Sequence, residues 1–292
     1  MWAKSWTLKE GFLVGGGLII AGLMLELSVG PVRWDAFVWP VGGLAMAFFV
    51  VLLVVVHMLR RRVYAIRFLS TYAAAVPALT YAVVLTMVMG LTRQTVNGTW
   101  VNNMLTFWPF VLIYIYMTVI VGLVVLRRLS HWRGWRRDVP FLLNHVGLFV
   151  ALVCATVGNA DMRRLKMITS VNSPEWRAFD TRQQMVALPV AIELKRFIME
   201  EYDDGSPRRF ASEIDVFTRS GKHVHATVDV NKPVKVDGWK IYQYGYDTAM
   251  GRMSQISIFE LVRDPWLPAV YIGIWMMLLG AVSMFILAQR KP

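Results

Sequence analysis

The chain has 292 residues, of which 56% are hydrophobic and only 17% are charged. This balance excludes an ordinary soluble domain, which carries more charge and shorter apolar segments. About 20 apolar residues suffice to cross a bilayer as a helix. Six segments are long enough: residues 11–30, 36–58, 71–91, 104–126, 139–160 and 266–288, with approximate bounds. The sequence therefore predicts a polytopic α-helical membrane protein with six spans.

The net charge of +12 comes largely from basic residues that cluster after every second apolar segment. These clusters are Arg60, Arg61, Arg62 and Arg67, then Arg127, Arg128, Arg133, Arg136 and Arg137, and finally Arg290 and Lys291. Basic residues in short loops mark the cytoplasmic side of a membrane. We therefore expect both termini and both arginine-rich loops to be cytoplasmic. The charge is assigned to topology and not to nucleic-acid binding.

Four parts follow along the chain. They are residues 1–138, a four-span membrane region; 139–163, the fifth span; 164–264, an extracytoplasmic β domain; and 265–292, the sixth span with a short cytoplasmic tail. Asp138 and Pro140 are typical of a helix start and favour a beginning of the fifth span near residue 139.

Residues 164–264 show the alternation of polar and apolar residues that is typical of β strands. Five strand segments are separated by turn residues: residues 186–193, 210–217, 222–230, 239–244 and 254–262. Pro189 cannot donate a ladder hydrogen bond, which favours an edge position for the first of these strands. The pattern predicts a mainly antiparallel β domain, either a small sandwich or a meander.

Two histidines, His57 and His145, lie in apolar segments beside the arginine-rich loops. The second segment runs inward and the fifth runs outward, so both imidazoles are expected at a similar depth near the cytoplasmic side. Ionisable groups within spans usually point into the bundle, and imidazoles are common axial ligands of haem iron. The pair is therefore a candidate for haem ligation. The alternative is structural, with His57 reaching the membrane surface and His145 bonding a neighbouring helix, with Asn144 as the bridge.

Other polar residues give weaker signals. His223 and His225 share one face of a strand, but no third ligand is visible nearby, so a solvated face is favoured over a metal site. Glu26 and Asp161 lie near outer helix ends, where solvation or a salt bridge is commoner than a place in a proton path. The sequence has no P-loop, zincin motif or nucleophile elbow, which argues against an ATPase or a hydrolase. We expect no metal beyond a haem iron.

Several segments resemble the ResB-like (CcsB) family of the System II cytochrome c maturation pathway. They are residues 141–148 (FLLNHVGL), 200–216 (EEYDDGSPRRFASEIDV), 230–247 (VNKPVKVDGWKIYQYGYD) and 262–273 (VRDPWLPAVYIG). Their order along the chain is also that of the family. Familiar members have fewer spans ahead of a larger outer domain, and residues 1–138 show no clear family pattern. The resemblance implies a multi-pass protein of the bacterial inner membrane with residues 164–264 in the periplasm.

The resemblance also implies a function, which is to move haem outward and present it to apocytochrome c. There the haem vinyl groups are coupled to the reduced thiols of a CxxCH motif. In such complexes histidines near the inner side hold a membrane haem, here taken as haem b, and His145 and then His57 are the matching positions. The tryptophan-rich WGxxWxWD motif of the partner protein CcsA is absent from this sequence. The chain would then be part of a cytochrome c haem-lyase complex and not catalytic alone.

The implied partners are a CcsA-type protein, apocytochrome c, thiol-reducing proteins and membrane lipid. Arg60, Arg61 and Arg137 lie beside the expected site and are candidates for pairing with haem propionates. Anchoring at the cytoplasmic surface is the alternative explanation of these three arginines.

Two other functions stay open at this stage. A membrane cytochrome b that passes electrons from quinol to an outer multihaem partner would need a second histidine pair near the outer face, and none is predicted there. A scaffold subunit without a cofactor would use His57 and His145 for stability only.

Overall fold

The computed structural model describes residues 5–95 and 98–288; Arg290 and Lys291, used above for the topology, lie outside the described residues. Within these described residues, six helices are long and apolar enough to cross a membrane, as predicted. In chain order the helices are α1 (Leu8–Val29), α2 (Val41–Leu59), the short α3 (Tyr64–Leu69), α4 (Tyr72–Leu91), α5 (Trp108–Leu129), α6 (Trp135–Asp161) and α7 (Leu267–Ala288).

The chain divides into two compact units. The membrane unit extends to Asp161 and resumes at Trp266, and the β unit is Met162–Pro265. Within the membrane unit, α1, α4 and α5 pack around one core cluster, in which Ala73, Ala74 and Ala78 of α4 let the helices approach closely. Small residues at such contacts are usual between membrane helices, because lipid provides no hydrophobic drive for their association.

α6 and α7 pack at close range because glycines lie at their interface. A Cβ atom on Gly147 would be 2.5 Å from the carbonyl oxygen of Gly273, and a Cβ atom on Gly280 would be 2.4 Å from the Asn144 amide nitrogen. Asn144 therefore faces α7, and its amide donates to the Pro140 carbonyl of its own helix (3.1 Å). The glycines allow backbone contacts that larger residues would prevent.

α6 begins at Trp135, earlier than the start near residue 139 that Asp138 and Pro140 indicated. Asp138 is fully buried and accepts hydrogen bonds from the backbone NH groups of Arg133 and Gly134. From its position in the first turn, Asp138 thus accepts from backbone NH groups at the helix start that have no partner within the helix. Pro140 lies inside the helix near its beginning, where it removes a single backbone hydrogen bond.

The β unit is one antiparallel sheet of eight strands in the order β5-β4-β3-β2-β1-β8-β7-β6. The strands are β1 (Arg163–Ser170), β2 (Pro174–Phe179), β3 (Met185–Glu201), β4 (Pro207–Thr218), β5 (His223–Asp229), β6 (Val234–Val236), β7 (Trp239–Tyr246) and β8 (Ile256–Arg263). β1 follows α6, β8 precedes α7, and the two strands pair along their whole length. The chain therefore enters and leaves the unit on neighbouring strands. β5 contacts β6 and β7 at the far ends of the order, so the sheet is nearly closed.

This sheet differs from the prediction in its number of strands and in its form. Three strands, β1, β2 and β6, were not predicted, and one curved sheet replaces the sandwich that was one of the two expected forms. Apolar side chains from all eight strands fill a single interior, including Met167, Ile192, Ile214, Ile241 and Phe259. A nearly closed sheet encloses its own core, so it needs no second layer.

β3 lies inside the sheet between β2 and β4, although Pro189 favoured an edge position. The pairing of β3 with β2 is irregular between Ala187 and Ile192, and its pairing with β4 begins at Val190. Pro189 therefore falls where neither neighbouring strand pairs with it, and its missing NH removes no ladder bond.

A two-residue turn at Asp237 and Gly238 joins β6 to β7. Both residues have positive φ, 47° and 80°, and the flanking residues Val236 and Trp239 pair directly. Positive φ at both positions is the geometry of a type I′ hairpin, which accounts for the Asp-Gly sequence.

Candidate functional site

The arginines that follow α2 and α5 meet at one end of the membrane unit. His57, near the end of α2, contacts Ser130 at the end of α5. Arg128 of α5 forms an ion pair with Asp138 in the first turn of α6 (2.5 Å). These contacts bring the ends of α2 and α5 beside the start of α6, and we call this region the arginine-rich end.

His145 lies on the side of α6 that faces α2 and α5. It precedes Phe149 by four residues, which places both on one side of the helix. Phe149 stacks with Phe49 of α2, with 6.4 Å between ring centroids. The His145 imidazole also stacks on Phe141 (3.9 Å between centroids), one turn earlier in α6.

The protonation of His145 follows from its hydrogen bond. Its Nδ1 lies 2.9 Å from the Phe141 carbonyl oxygen, which can only accept, so Nδ1 carries the hydrogen of the neutral ring. Nε2 then keeps a free lone pair, and it makes no hydrogen bond within residues 5–95 and 98–288. A backbone carbonyl that orients the ring in this way is the usual support of a metal-binding histidine.

His57 has the opposite tautomer. Ser130 Oγ donates its one hydrogen to the Leu126 carbonyl (2.8 Å). Ser130 Oγ can therefore only accept from His57, so His57 Nε2 carries a hydrogen and donates it to Ser130 Oγ (2.9 Å). The unprotonated Nδ1 is buried and has no hydrogen-bond partner in the described part of the chain. An orphaned buried nitrogen fits a metal ligand chemically. It is enclosed by protein, however, so His57 must rotate before any iron can reach it.

The two histidines lie within about one helical turn of the same depth. A Cβ atom on Gly122 of α5 would be 2.8 Å from Leu53 Cδ1 and 3.0 Å from Phe149 Cε2, so these side chains meet at one level. His57 follows Leu53 by four residues and His145 precedes Phe149 by four, on helices that run in opposite directions. Each imidazole is therefore about 6 Å closer to the arginine-rich end.

Arg60, Arg61 and Arg137 lie at this end, but none of the three is among the residues that line its pocket. The Arg60 guanidinium lies 3.5 Å from His131 Nδ1, and Arg137 accepts a hydrogen bond from Arg128 through its backbone carbonyl (3.5 Å). A pocket of about 330 Å³ opens there. We call it the arginine pocket; it is lined by Arg127, Arg128, Arg133, His131, Ser70 and Phe141, among others.

The two acids near the opposite helix ends have structural partners. Glu26 is buried and accepts from the backbone NH of Trp108, the first residue of α5 (3.1 Å). Asp161, the last residue of α6, accepts from Trp266 Nε1 (2.6 Å) and from the backbone NH of Trp39 (2.8 Å). A carboxylate at a helix start also satisfies a free NH and the helix dipole. Both acids hold helix ends together through hydrogen bonds, where solvation or a salt bridge was expected.

His223 and His225 of the β unit share a carboxylate. Asp215 on β4 accepts from His225 Nδ1 (2.8 Å) and lies 3.2 Å from His223 Nε2. The hydrogen bond from His225, helped by the nearby Lys195, holds the pKa of Asp215 below its usual range. Across residues 5–95 and 98–288, no group of three or more His, Cys, Asp or Glu side chains is arranged to hold a metal ion.

Residues 128–255 match the ResB-like family. The chain is similar to this family over those residues, which we call the ResB-like region. The match begins at the end of α5, includes the whole of α6 with His145, and extends through β7. The resemblance carried by residues 141–148, 200–216 and 230–247 is thus confirmed.

Two curated proteins are similar to parts of the chain. The chain is 24% identical over 153 residues to the cytochrome c biogenesis protein CcsB of Prochlorococcus marinus subsp. pastoris, covering 52% of this chain and 35% of that protein. It is 32% identical over 77 residues to the chloroplastic cytochrome c biogenesis protein CCS1 of Oryza sativa subsp. japonica, covering 25% and 14%. The chain therefore spans about a third or less of the length of these relatives.

One solved structure is also similar, the cytochrome c heme lyase CcmF. The match covers 82% of this chain and 44% of that chain, with 16% identity and a TM-score of 0.37. A similarity of this strength supports no argument about the site.

The arginine pocket and the approach of His131 to Arg60 were not predicted. The charge clusters were visible in the sequence, but they contain many equivalent arginines. Which of these arginines face one pocket depends on how the ends of α5 and α6 are rotated against each other, and local sequence does not specify that rotation.

Proposed function

We propose that this chain is the ResB-like subunit of a System II cytochrome c maturation complex, where it helps to move haem across the membrane and to present it to apocytochrome c. One observation carries the proposal. The ResB-like region contains His145, and the hydrogen bond from Nδ1 to the Phe141 carbonyl leaves Nε2 as a free lone pair for iron. Both curated relatives are named as cytochrome c biogenesis proteins.

The proposed topology places this protein in the bacterial inner membrane with both termini in the cytoplasm. The arginine-rich end then faces the cytoplasm, as the distribution of basic residues in membrane proteins requires. The β unit, which follows α6, lies on the periplasmic side and offers a surface for apocytochrome c or for a CcsA-type partner.

In this proposal His145 would hold the iron of a haem b through Nε2, and His57 or a histidine of the CcsA-type partner would be the second ligand. The bound haem supplies the vinyl groups to which cysteine thiols of apocytochrome c, kept reduced by thiol-reducing proteins, are added. The residues of this chain hold and orient the ring, so the chain is one part of a haem-lyase complex and not the complete catalyst.

The test is a reduced-minus-oxidised absorbance spectrum of the protein purified from membranes, with and without its CcsA-type partner. We expect a b-type haem spectrum in the wild type. His145→Ala should lose most of it, because an axial ligand is removed, and His57→Ala should lose it only if His57 is the second ligand. His223→Ala removes an imidazole from the β unit and serves as the matched control.

Absence of haem from every preparation, the partner included, would refute the ligand assignment and leave a scaffold subunit. A haem spectrum that is retained in His145→Ala would refute the assignment of His145 as a ligand. Maturation of a reporter cytochrome c separates the proposal from an electron-transferring cytochrome b. If the chain is a maturation factor, a variant that loses its haem must also fail to produce the reporter with covalently attached haem.

A further inference from the structure

The arginine pocket carries more positive charge than its neighbours neutralise. Three arginines, Arg127, Arg128 and Arg133, line it. Arg128 pairs with the buried carboxylate of Asp138 (2.5 Å). In the described part of the chain, Arg127 donates only to the Ser70 carbonyl (2.7 Å), which is uncharged. The Arg133 side chain has no ion-pair partner among the residues that the structure describes.

Asp138 cannot supply the missing negative charge. Its carboxylate is fully buried and is already bonded to the Arg128 side chain and to the backbone NH groups of Arg133 and Gly134. Two guanidinium groups therefore stay available at the pocket. A pocket with unneutralised arginines selects an oxyanion with two oxygens that can accept paired N–H groups, a carboxylate or a phosphate.

The inner wall of the pocket joins this charge to the candidate haem ligand. Phe141 lines the pocket, the Arg128 guanidinium lies over its ring at 4.9 Å, and the His145 imidazole stacks on the same ring at 3.9 Å. A ligand at His145 is thus one aromatic ring away from the pocket. A large apolar ring with carboxylates along one edge has the chemistry that this arrangement accepts.

We propose that the arginine pocket binds the propionate carboxylates of the porphyrin, with Arg127 and Arg133 as the donors. This inference rests on the proposed function and makes it more specific, because it transfers the propionate contacts from Arg60, Arg61 and Arg137 to the arginines that line a pocket. Arg128 keeps its bond to Asp138 and forms the fixed wall between the two sites.

The test uses metal-free protoporphyrin and its dimethyl ester, which differ only in the charge of the carboxylates. Binding to the full-length purified protein is followed by quenching of tryptophan fluorescence. We expect the diacid to bind the wild type at least about tenfold more tightly than the diester, since each charge-assisted hydrogen bond is worth roughly a factor of ten. In Arg133→Gln and in Arg127→Gln this preference should fall by about tenfold.

Matched controls separate the pocket from general charge. Arg136→Gln removes an exposed arginine in the first turn of α6 that is not among the pocket residues, and it should keep the full preference. Arg133→Gln retains the backbone NH that bonds Asp138, so the fold of the loop is preserved. Equal binding of diacid and diester to the wild type overturns the proposal, and so does an equal loss of preference in Arg136→Gln.

A phospholipid phosphate is the other source of the same chemistry. If Arg133→Gln reduces the co-purification of phosphatidylglycerol but leaves the diacid affinity unchanged, the porphyrin assignment is overturned. Because the probe contains no iron, it does not depend on His145. An unaltered haem spectrum in His145→Ala would therefore refute His145 as an iron ligand. The porphyrin experiment would still show whether the arginine pocket binds the carboxylates.

Discussion

At the scale of single residues, local hydrogen bonds decide what a side chain can do. His145 and His57 have different tautomers because one is bonded to a carbonyl and the other to a hydroxyl that already donates elsewhere. Glu175 of β2 is held in a similar way, since Arg177 donates Nε and Nη2 to its two carboxylate oxygens (2.8 and 2.9 Å). These bonds lower the pKa of Glu175 to about 2.

The pair predicts a pH dependence of stability. A carboxylate with a lowered pKa in the folded state adds stability above its unfolded pKa of about 4.3. That stability is lost as the pH falls from about 4.3 towards 2. Because Arg177 is half exposed, we expect a contribution of no more than about 1 kcal/mol. Glu175→Gln should therefore lower the melting temperature at pH 7 and lose less stability than the wild type on going to pH 3.5.

Thermal unfolding of the detergent-solubilised chain at the two pH values measures this difference. Asp203→Asn, an exposed acid in the turn between β3 and β4, is the control and should behave as the wild type. Parallel pH profiles for Glu175→Gln and the wild type would contradict the prediction.

At the scale of elements, the contact of α6 with α7 depends on the absence of side chains. Gly147 and Gly273 each lie against the other's carbonyl oxygen. The same helix α6 presents Phe149 to α5 and Asn144 to α7, so its rotation is fixed from two sides. The orientation of His145 follows from this packing.

We predict that Gly147→Ala destabilises the membrane unit by about 1 to 3 kcal/mol, since an added methyl group would be 2.5 Å from the Gly273 oxygen and must push the helices apart. Gly90→Ala in α4 is the matched control, because no other atom lies within 4 Å of its Cβ position. That variant should be unchanged or more stable by up to about 1 kcal/mol. Thermal unfolding in detergent gives both values. Equal melting temperatures of the two variants would show that the close contact at Gly147 does not contribute to the stability of the membrane unit.

The elements also show where sequence patterns fail. The six spans were predictable because apolar runs of bilayer length have few other interpretations. β1 was missed although its burial alternates, because its outward residues Arg163, Arg164 and Lys166 look like a charged juxtamembrane segment. β6 has three residues, too few for any period to be visible. The edge position predicted from Pro189 was wrong because β3 accommodates the proline at an irregularity in its pairing with β2. That irregularity is a property of the neighbouring strand.

At the scale of the whole molecule, the helix ends of the membrane unit differ in character. One end carries the arginines after α2 and α5, and the other carries Trp39, Trp108 and Trp266 bonded to acids and carbonyls. Arginine clusters stay on the cytoplasmic side, and tryptophans favour the interface. The proposed orientation of the chain rests on the arginines, because tryptophans favour both interfaces and Trp132 and Trp135 lie at the arginine-rich end.

The orientation can be measured with single cysteines introduced after Cys154→Ala. We expect Ser220→Cys, in the turn between β4 and β5, to react with a membrane-impermeant maleimide in intact spheroplasts. Arg136→Cys, in the first turn of α6, should react only after permeabilisation. Labelling in the reverse pattern would invert the proposed topology, and labelling of both sites in intact spheroplasts would contradict it.

The sequence by itself determined the membrane class, the six spans, the position of the β unit and the ResB-like resemblance, because these depend on composition, run length and local motifs. Only the tertiary structure decided which nitrogen of each histidine is free, which arginines share a pocket and how eight strands close around one core. Those features depend on the rotation of helices about their axes and on pairing between distant strands. Such contacts are set by the packing of the whole chain, and no local pattern encodes them.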